Sequence, residues 1–317
     1  MNFITHLFRI MKYGTSYAIA TGFFPKEIAK KVLLLYSFVR IPDNIVDDIV
    51  LWRDLKSHYL QAKKILEEMQ HSRIQAYMAN NKANKQWSQY ISLFQDNGIP
   101  FQYSLDFFKA MIDDCSVHRY ETYEQLEWYM YGSASVVWLV MCHLIWFTDP
   151  KDEQIAKEYA TELGNAMQLT NFLRDVREDY EELGRIYMPL DVDYFVPSIN
   201  GHCEGAIADE AINTVHNNII SFCHWWYVQA SEEKKKERSD YMKILITKCR
   251  TMYAHSLDGL QYLKPEWREA VRLAALLYGS ILDKIESNNY DVFTKSARTN
   301  LRDKLKILYT YKSRWTK

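Results

Sequence analysis

No two of the five cysteines, Cys115, Cys142, Cys203, Cys223 and Cys249, stand in a CxxC pair. Scattered thiols of this kind disfavour a zinc site and a disulfide framework, and fit the reduced state of a cytosol. An excess of charge of one sign is also missing. The 39 basic and 40 acidic residues leave a formal net charge of −1, so no polyanion-binding face is implied and nucleic acid is not an expected partner. Apolar runs long enough to cross a bilayer are absent too. The most apolar segment, "SASVVWLVMCHLIWF" from Ser133 to Phe147, falls short of the roughly 20 residues a spanning helix needs. It contains His143 and reads as a helix buried on all sides. The opening "MNFITHLFRIMKYG" has an apolar run broken by His6 and Arg9 and no small-residue cleavage site, so it is a poor export signal and a cytoplasmic protein is expected. Finally, no GxGxxG lies between a strand and a helix, which leaves NADPH without its usual fingerprint and not favoured as a cofactor.

Helical periodicity is present almost throughout. In "FPKEIAKKVLLLYSFVR" the apolar residues Ile28, Val32, Leu35, Tyr36 and Val39 recur at the spacing of one helix face, and Pro25 suits the first turn. Further helices are expected over about 54–80, 103–116, 123–148, 152–183, 206–229, 239–256, 265–288 and 293–311. No β-branched alternation separates them, so the fold is expected to be all-α, one domain over residues 1–317. Two loops interrupt it, "ANNKANKQ" and "LGRIYMPLDVDYFVPSINGHCEG".

Two acidic stretches break the apolar pattern. "LLYSFVRIPDNIVDDIV" carries Asp43 and Asp47 four residues apart, with Arg40 upstream; "NAMQLTNFLRDVREDYEELGRIYMP" carries Asp175 and Asp179 at the same spacing, preceded by Gln168 and Asn171. A helix rises 1.5 Å per residue, so residues four apart share a face about 6 Å from one another. Such pairs are common on solvated faces. Here each follows an apolar run, "VLLLYSFV" and "AMQLTNFL", and so emerges from a helix that reads as buried rather than solvated. Two such lines on facing helices would bring four carboxylates together, at a cost of several kcal/mol per buried ion unless divalent cations relieved it. All the donors are oxygens, which favours magnesium over zinc. Magnesium shares carboxylates with phosphates, so the implied ligand is a diphosphate, with Arg40 and Arg174 placed to bond it. Pro42 is read as a local kink beside the site, with a helix end as the alternative.

The segments "SYAIATGFFP", "LLYSFVRIPDNIVDD", "YMYGSAS", "QLTNFLRDVREDYEELGRIYMP" and "YGSILDKIESNNYDVF" occur in an order that resembles the squalene/phytoene synthase family, the head-to-head branch of the trans-prenyltransferases. The resemblance is closest to bacterial and plant phytoene or dehydrosqualene synthases. It implies a helical bundle of the class I isoprenoid synthase type with a central cavity. It also implies that Asp43, Asp47, Asn171, Asp175 and Asp179 hold magnesium. Ser16, Tyr36, Arg40, Gln168, Arg174 and Tyr278 match positions that line the diphosphate sites or the space between them. Tyr129 matches a tyrosine facing the reacting carbons. Asp48, one residue from Asp47, would face elsewhere on the helix.

Three departures accompany the resemblance. Where the family has a small-residue motif ending in glycine, this chain has Ser135 and Trp138. A tryptophan there would fill volume expected for a prenyl tail, which favours a farnesyl over a geranylgeranyl substrate. The family's N-terminal HSKS is "YGTS", Tyr13 to Ser16, and the basic residue after "YDVF" is Lys295, which keeps the charge but loses the guanidinium fork, with Arg298 as a substitute. Of the aromatics gathered in one segment, Trp128, Tyr129, Tyr131, Trp138 and Trp146, most are expected to be core, with Tyr129 and Trp138 the exceptions. The expected function is head-to-head coupling of two prenyl diphosphates; a terpene cyclase acting on one diphosphate is the alternative, and a non-catalytic scaffold a third reading that has no need of four aspartates. The N-terminal Phe3, Ile4, Leu7, Phe8 and Ile10 near Arg9 and Lys12 leave peripheral membrane contact as a secondary expectation, behind an ordinary packed first helix.

Overall fold

The computed structural model describes residues 15–47, 55–79, 87–145, 147, 149–188 and 231–313. Among them no strand forms; two isolated bridges, Arg119 with Ile186 and Phe147 with Leu263, are the only β pairing. The helices are α1 (Thr15–Thr21), α2 (Lys26–Asp47), α3 (Leu55–Met78), α4 (Ser88–Asp96), α5 (Gln102–Asp113), α6 (Tyr123–Met130), α7 (Val136–Leu144), α8 (Glu153–Glu181), α9 (Glu232–Asp258), α10 (Pro265–Ser287) and α11 (Leu301–Ser313). The all-α expectation holds. Asp48, the "YGTS" residues Tyr13 and Gly14, the N-terminal apolar segment, Trp146 and the helix expected over 206–229 lie outside the described residues.

Helix α2 forms as the periodicity predicts. Ile28, Val32, Leu35, Phe38, Pro42 and Val46 make its buried row, spaced to stay on one side of a 3.6-residue helix. Pro42 sits inside α2 and does not end it. Its ring removes one backbone hydrogen bond, a loss of about 3 kcal/mol in an ordinary helix interior, which burial of the ring and of its neighbours offsets.

The central element is α8, packed against α7, α9 and α10. Leu169 and Leu173 are fully buried, each worth roughly 1.5–3 kcal/mol relative to exposure. That anchorage lets the same helix carry charge on another face. Close approach to the α6–α7 junction depends on Gly164, where an added Cβ would lie 2.8 Å from the Cα of Ser135. The junction itself, Tyr131–Ser135, is a single wide turn of π-helix, the kind of irregularity that often marks a functional site. It holds Tyr129 and Trp138 on either side of itself, and Ser135 ties it to α8 by donating to the Thr161 carbonyl at 3.1 Å and the Asn165 Oδ1 at 2.6 Å.

Two segments differ from the sequence reading. The nine-residue α4 follows directly on the polar stretch that reads as loop. Residues 293–300, expected as the start of the last helix, are irregular, because Asn289 and Tyr290 take positive φ (58° and 62°) and Asp291 accepts from the backbone N–H of Phe293 and Thr294 at 3.1 and 2.8 Å.

Candidate functional site

Tyr36, Arg40, Asp43 and Asp47 recur at i, i+4, i+7 and i+11 on α2 and share the face beside its buried row. On α8, Gln168, Asn171, Asp175 and Asp179 form the corresponding line. Tyr278 of α10 joins the two: it interacts electrostatically with Arg174 and Asp175 of α8 and with Arg40 and Asp43 of α2. The two acidic faces therefore border one space.

Each carboxylate pair is partly neutralised by arginine. Arg40 contacts Asp43, and Arg174 bonds Asp175 through both Nε (2.7 Å) and a terminal nitrogen. A third arginine, Arg185, reaches Asp47 at 3.1 Å. The Asp43 and Asp47 side chains are 32% and 35% exposed and that of Asp175 is 18% exposed, so the pairs line a cleft that solvent can enter. Burial and the Asp47 charge push Asp43 up to about 7, against the pull of Arg40. Asp179 is likewise held well above the usual carboxylate range, by burial and then by Asp175.

These residues suit a hard divalent cation. Their donors are all oxygens; the carboxylates within each pair repel one another; and the Oδ1 of Asn171 is buried without a hydrogen-bond partner while its Nδ2 donates to Gln168 Oε1 at 3.4 Å. Among the described residues no three acidic, imidazole or thiol side chains already converge at ligand distance. The arginine pairings account for that, since they draw Asp43, Asp47 and Asp175 toward guanidinium groups.

Beside the acidic faces lies a buried network the sequence did not reveal. Gly184, with φ of 64°, ends α8 in the left-handed turn that glycine favours. The Arg185 N–H donates back to the Asp179 carbonyl at 2.8 Å, and Ile186 then pairs with the 118–120 segment. This return places Arg185 and Tyr187 against Asp114. Tyr129 and Tyr187 donate their hydroxyls to the two oxygens of Asp114, at 2.7 and 3.2 Å, and Arg185 donates to the Tyr187 oxygen at 3.1 Å. Burial raises Asp114 to about 6 although Arg185 and the two phenols favour its charged form. The rings stack around it: Phe172 on Tyr187 at 4.2 Å between centroids, Tyr129 on Tyr187 at 5.3 Å and Tyr120 near Tyr129 at 5.2 Å. An adjoining pocket of about 340 Å³, counting its solvent-open part, is lined by Phe172, Val176, Asp179, Arg185, Tyr187 and Met188 among others. Arg185 and Tyr187 stand in the "GRIYMP" run but lack a helix-spaced partner, and Asp114 follows another aspartate at the end of α5 with nothing to single it out.

The remaining expected residues are placed as follows. Tyr129 is buried at 7% exposure, and Trp128 beside it is 72% exposed. Trp138 is buried, 6.5 Å from the ring of Tyr17, which in turn lies 5.9 Å from Tyr36. Ser16 is buried on α1, which packs on α10. Of the basic residues after "YDVF", Lys295 is exposed, and Arg298 pairs with Glu178 at the surface.

Chemically, such a site can bind a doubly charged phosphate group between arginines and cations and enclose a reactive hydrocarbon against aromatic rings. The squalene/phytoene synthase family model matches residues 10–192 and 228–304. A phytoene synthase of Arthrospira platensis is 32% identical over 194 residues, 58% of this chain and 54% of that protein. The chain thus spans about half the length of this relative. A 4,4'-diapophytoene synthase of Staphylococcus haemolyticus is 27% identical over 289 residues, 90% of this chain and 87% of that one. Among solved structures, a dehydrosqualene synthase superposes with a TM-score of 0.72 at 23% identity, covering 99% of this chain and 96% of the other, which establishes the shared all-α isoprenoid synthase fold. With the matched regions spanning most of its length, the chain belongs to the squalene/phytoene synthase family.

Proposed function

We propose that this chain is a prenyltransferase that joins two prenyl diphosphates head-to-head, through a cyclopropyl diphosphate, to a squalene-, dehydrosqualene- or phytoene-type product of isoprenoid or carotenoid biosynthesis. The observation that carries the reading is the pair of acidic faces, Asp43 and Asp47 on α2 and Asp175 and Asp179 on α8, bordering one space with an arginine beside each pair. The names of the relatives, phytoene synthase and diapophytoene synthase, support it.

Asp43, Asp47, Asn171, Asp175 and Asp179 would hold magnesium, which when bound supplies positive charge against the leaving diphosphate. The residues do the rest. Arg40 and Arg174 bond phosphate oxygens once their carboxylates turn to the metal, and Gln168, Tyr36, Ser16 and Tyr278 orient the diphosphate. The C1–O bond of the first substrate breaks with its electrons leaving on diphosphate. The double bond of the second attacks that carbon, and loss of a proton closes the three-membered ring. Tyr129, Phe172 and Tyr187 keep water from the allylic cation and offer ring faces worth roughly 0.5–2 kcal/mol each to a cation. Asp114 fixes the Tyr129 hydroxyl and so the angle of its ring.

Farnesyl diphosphate is the preferred substrate in this reading, geranylgeranyl diphosphate the alternative, because Trp138, buried beside Tyr17, stands where the family resemblance has a small residue next to the prenyl tail. The same feature is what favours the second reading, a cyclase that folds one cation against Trp138. Incubation of purified protein and magnesium with geranyl, farnesyl and geranylgeranyl diphosphates in turn, with and without NADPH, followed by mass spectrometry, separates the two. A linear thirty- or forty-carbon hydrocarbon supports coupling; a product with the carbon count of one substrate establishes the cyclase instead.

A further inference from the structure

A buried cation lies next to the diphosphate site without any of the assigned roles. Lys304, in the first turn of α11, is 6% exposed. Its ammonium donates to the Thr15 hydroxyl of α1, the residue before Ser16. The charged groups that act on it are Arg174 and its sequence neighbour Asp303, and the Asp303 carboxylate is engaged in accepting the Asn300 N–H at 2.9 Å. Among the described residues no carboxylate makes an ion pair with Lys304. Burial and the like charge of Arg174 hold its ammonium below the usual lysine range.

Arg174, 22% exposed, acts on buried Lys304 as a like charge, and two such cations repel each other and lose hydration, an arrangement that persists where an anion is to be received. The carboxylate now facing Arg174 is Asp175, one of the residues suited to a metal. When Asp175 turns to a cation, Arg174 and Lys304 are left as like charges acting on one another. Lys295 and Arg298, the basic residues after "YDVF", lie at the surface, whereas Lys304 is buried.

We propose that Lys304 is a diphosphate ligand: its ammonium, the Arg174 guanidinium and the Thr15 and Ser16 hydroxyls form the part of one diphosphate site that does not depend on metal. This assignment rests on the diphosphate reading above and adds α11 to the elements that build the site. A lysine suits the position because a point charge with three rotatable donors needs no fork geometry to reach a phosphate oxygen.

The test is calorimetric titration of the full chain with inorganic pyrophosphate in the presence of magnesium. Wild type is expected to bind saturably; Lys304→Gln is expected to bind roughly ten- to a hundredfold more weakly, as loss of one charge-assisted contact implies. Lys304→Arg should stay within about threefold of wild type, and Lys306→Gln, exposed two residues further on, should bind as wild type does. Because a buried substitution can unfold the chain, a second measurement uses the native protein: pyrophosphate should slow acetylation of Lys304, read by mass spectrometry, and leave Lys306 unaffected. Unweakened binding by folded Lys304→Gln, or unprotected Lys304 in wild type that does bind pyrophosphate, overturns the assignment alone. A wild type that binds no pyrophosphate overturns the diphosphate reading together with it.

Discussion

Replacing Arg185 by methionine tests the buried network most directly. The guanidinium is 2% exposed, bonds Asp47 and Tyr187 at 3.1 Å each and lies 5.1 Å from the centroid of the Tyr59 ring. Its loss removes the positive charge that favours ionised Asp114, which is 3% exposed and keeps its bonds from Tyr129 and Tyr187, and uncompensating a buried charge costs at most about 3–5 kcal/mol. The ring contact adds roughly 0.5–2 kcal/mol. Asp47, a third exposed, is screened by water and adds less than about 1 kcal/mol. Against this, Arg185 Nε and one terminal nitrogen are buried without partners, so removing them returns about 1–3 kcal/mol. The net expectation is a loss of about 2–4 kcal/mol. Its pH dependence has a definite sign. Asp114 is raised when folded, so the folded state holds the proton more tightly and stability falls as pH rises from about 4 to about 6. Without Arg185 the carboxyl rises further, and the fall extends to higher pH. Urea unfolding followed by circular dichroism should therefore show Arg185→Met more destabilised near pH 8 than near pH 5, with Asp114→Asn in the same chain restoring about 1–3 kcal/mol through their coupling. Equal losses at both pH values and a coupling under about 0.5 kcal/mol would refute the reasoning.

Three further expectations concern the cleft. Asp43→Asn and Asp175→Asn should each lower turnover on the order of a hundred- to a thousandfold; the metal-free melting temperature should stay unchanged or rise in Asp43→Asn, which removes a repulsion from Asp47, and fall in Asp175→Asn, which takes the carboxylate from Arg174; full turnover in both variants would sink the diphosphate reading. Because Asp43, raised to about 7, and Asp179 must give up protons to bind a cation, magnesium should raise the melting temperature more near pH 8 than near pH 5; calorimetric scans showing an equal shift would count against those ligands. Trp138→Ala should cost roughly 3–5 kcal/mol as a buried large-to-small change and shift product mass toward the longer substrate, whereas an unchanged product profile in folded protein would show that Trp138 does not bound the hydrocarbon space.

The legible parts of this molecule are those whose cause is local. The α2 and α8 faces could be read because burial and charge both repeat with the helix period, and each carboxylate lies one turn from its partner. Helix α4 is not legible because nine residues give little room for periodicity to show, and the start of the last helix is read too early because the turn at Asn289 and Tyr290 depends on left-handed backbone, which asparagine tolerates but tyrosine rarely adopts. The Asp114 network was invisible for a different reason. Arg185 meets Asp47 across 138 positions of sequence, and Tyr187 meets Asp114 across 73; no spacing rule connects residues brought together by a return of the chain.

The π-turn at Tyr131–Ser135 works like a vernier between the rings of Tyr129 and Trp138. An α-helix advances about 100° per residue, so the one extra residue accommodated in such a turn offsets the faces of α6 and α7 by that angle without moving either axis. Tyr129 and Trp138 can thus be aimed independently, each by its own helix. Regularising the turn to α-helix with every residue kept would swing Trp138 by about that angle relative to Tyr129, whereas deleting one residue together with the turn would leave the two faces nearly as they are. The relative aim of the two rings is therefore set by the hydrogen-bond pattern of five residues, Tyr131–Ser135, as well as by side-chain size.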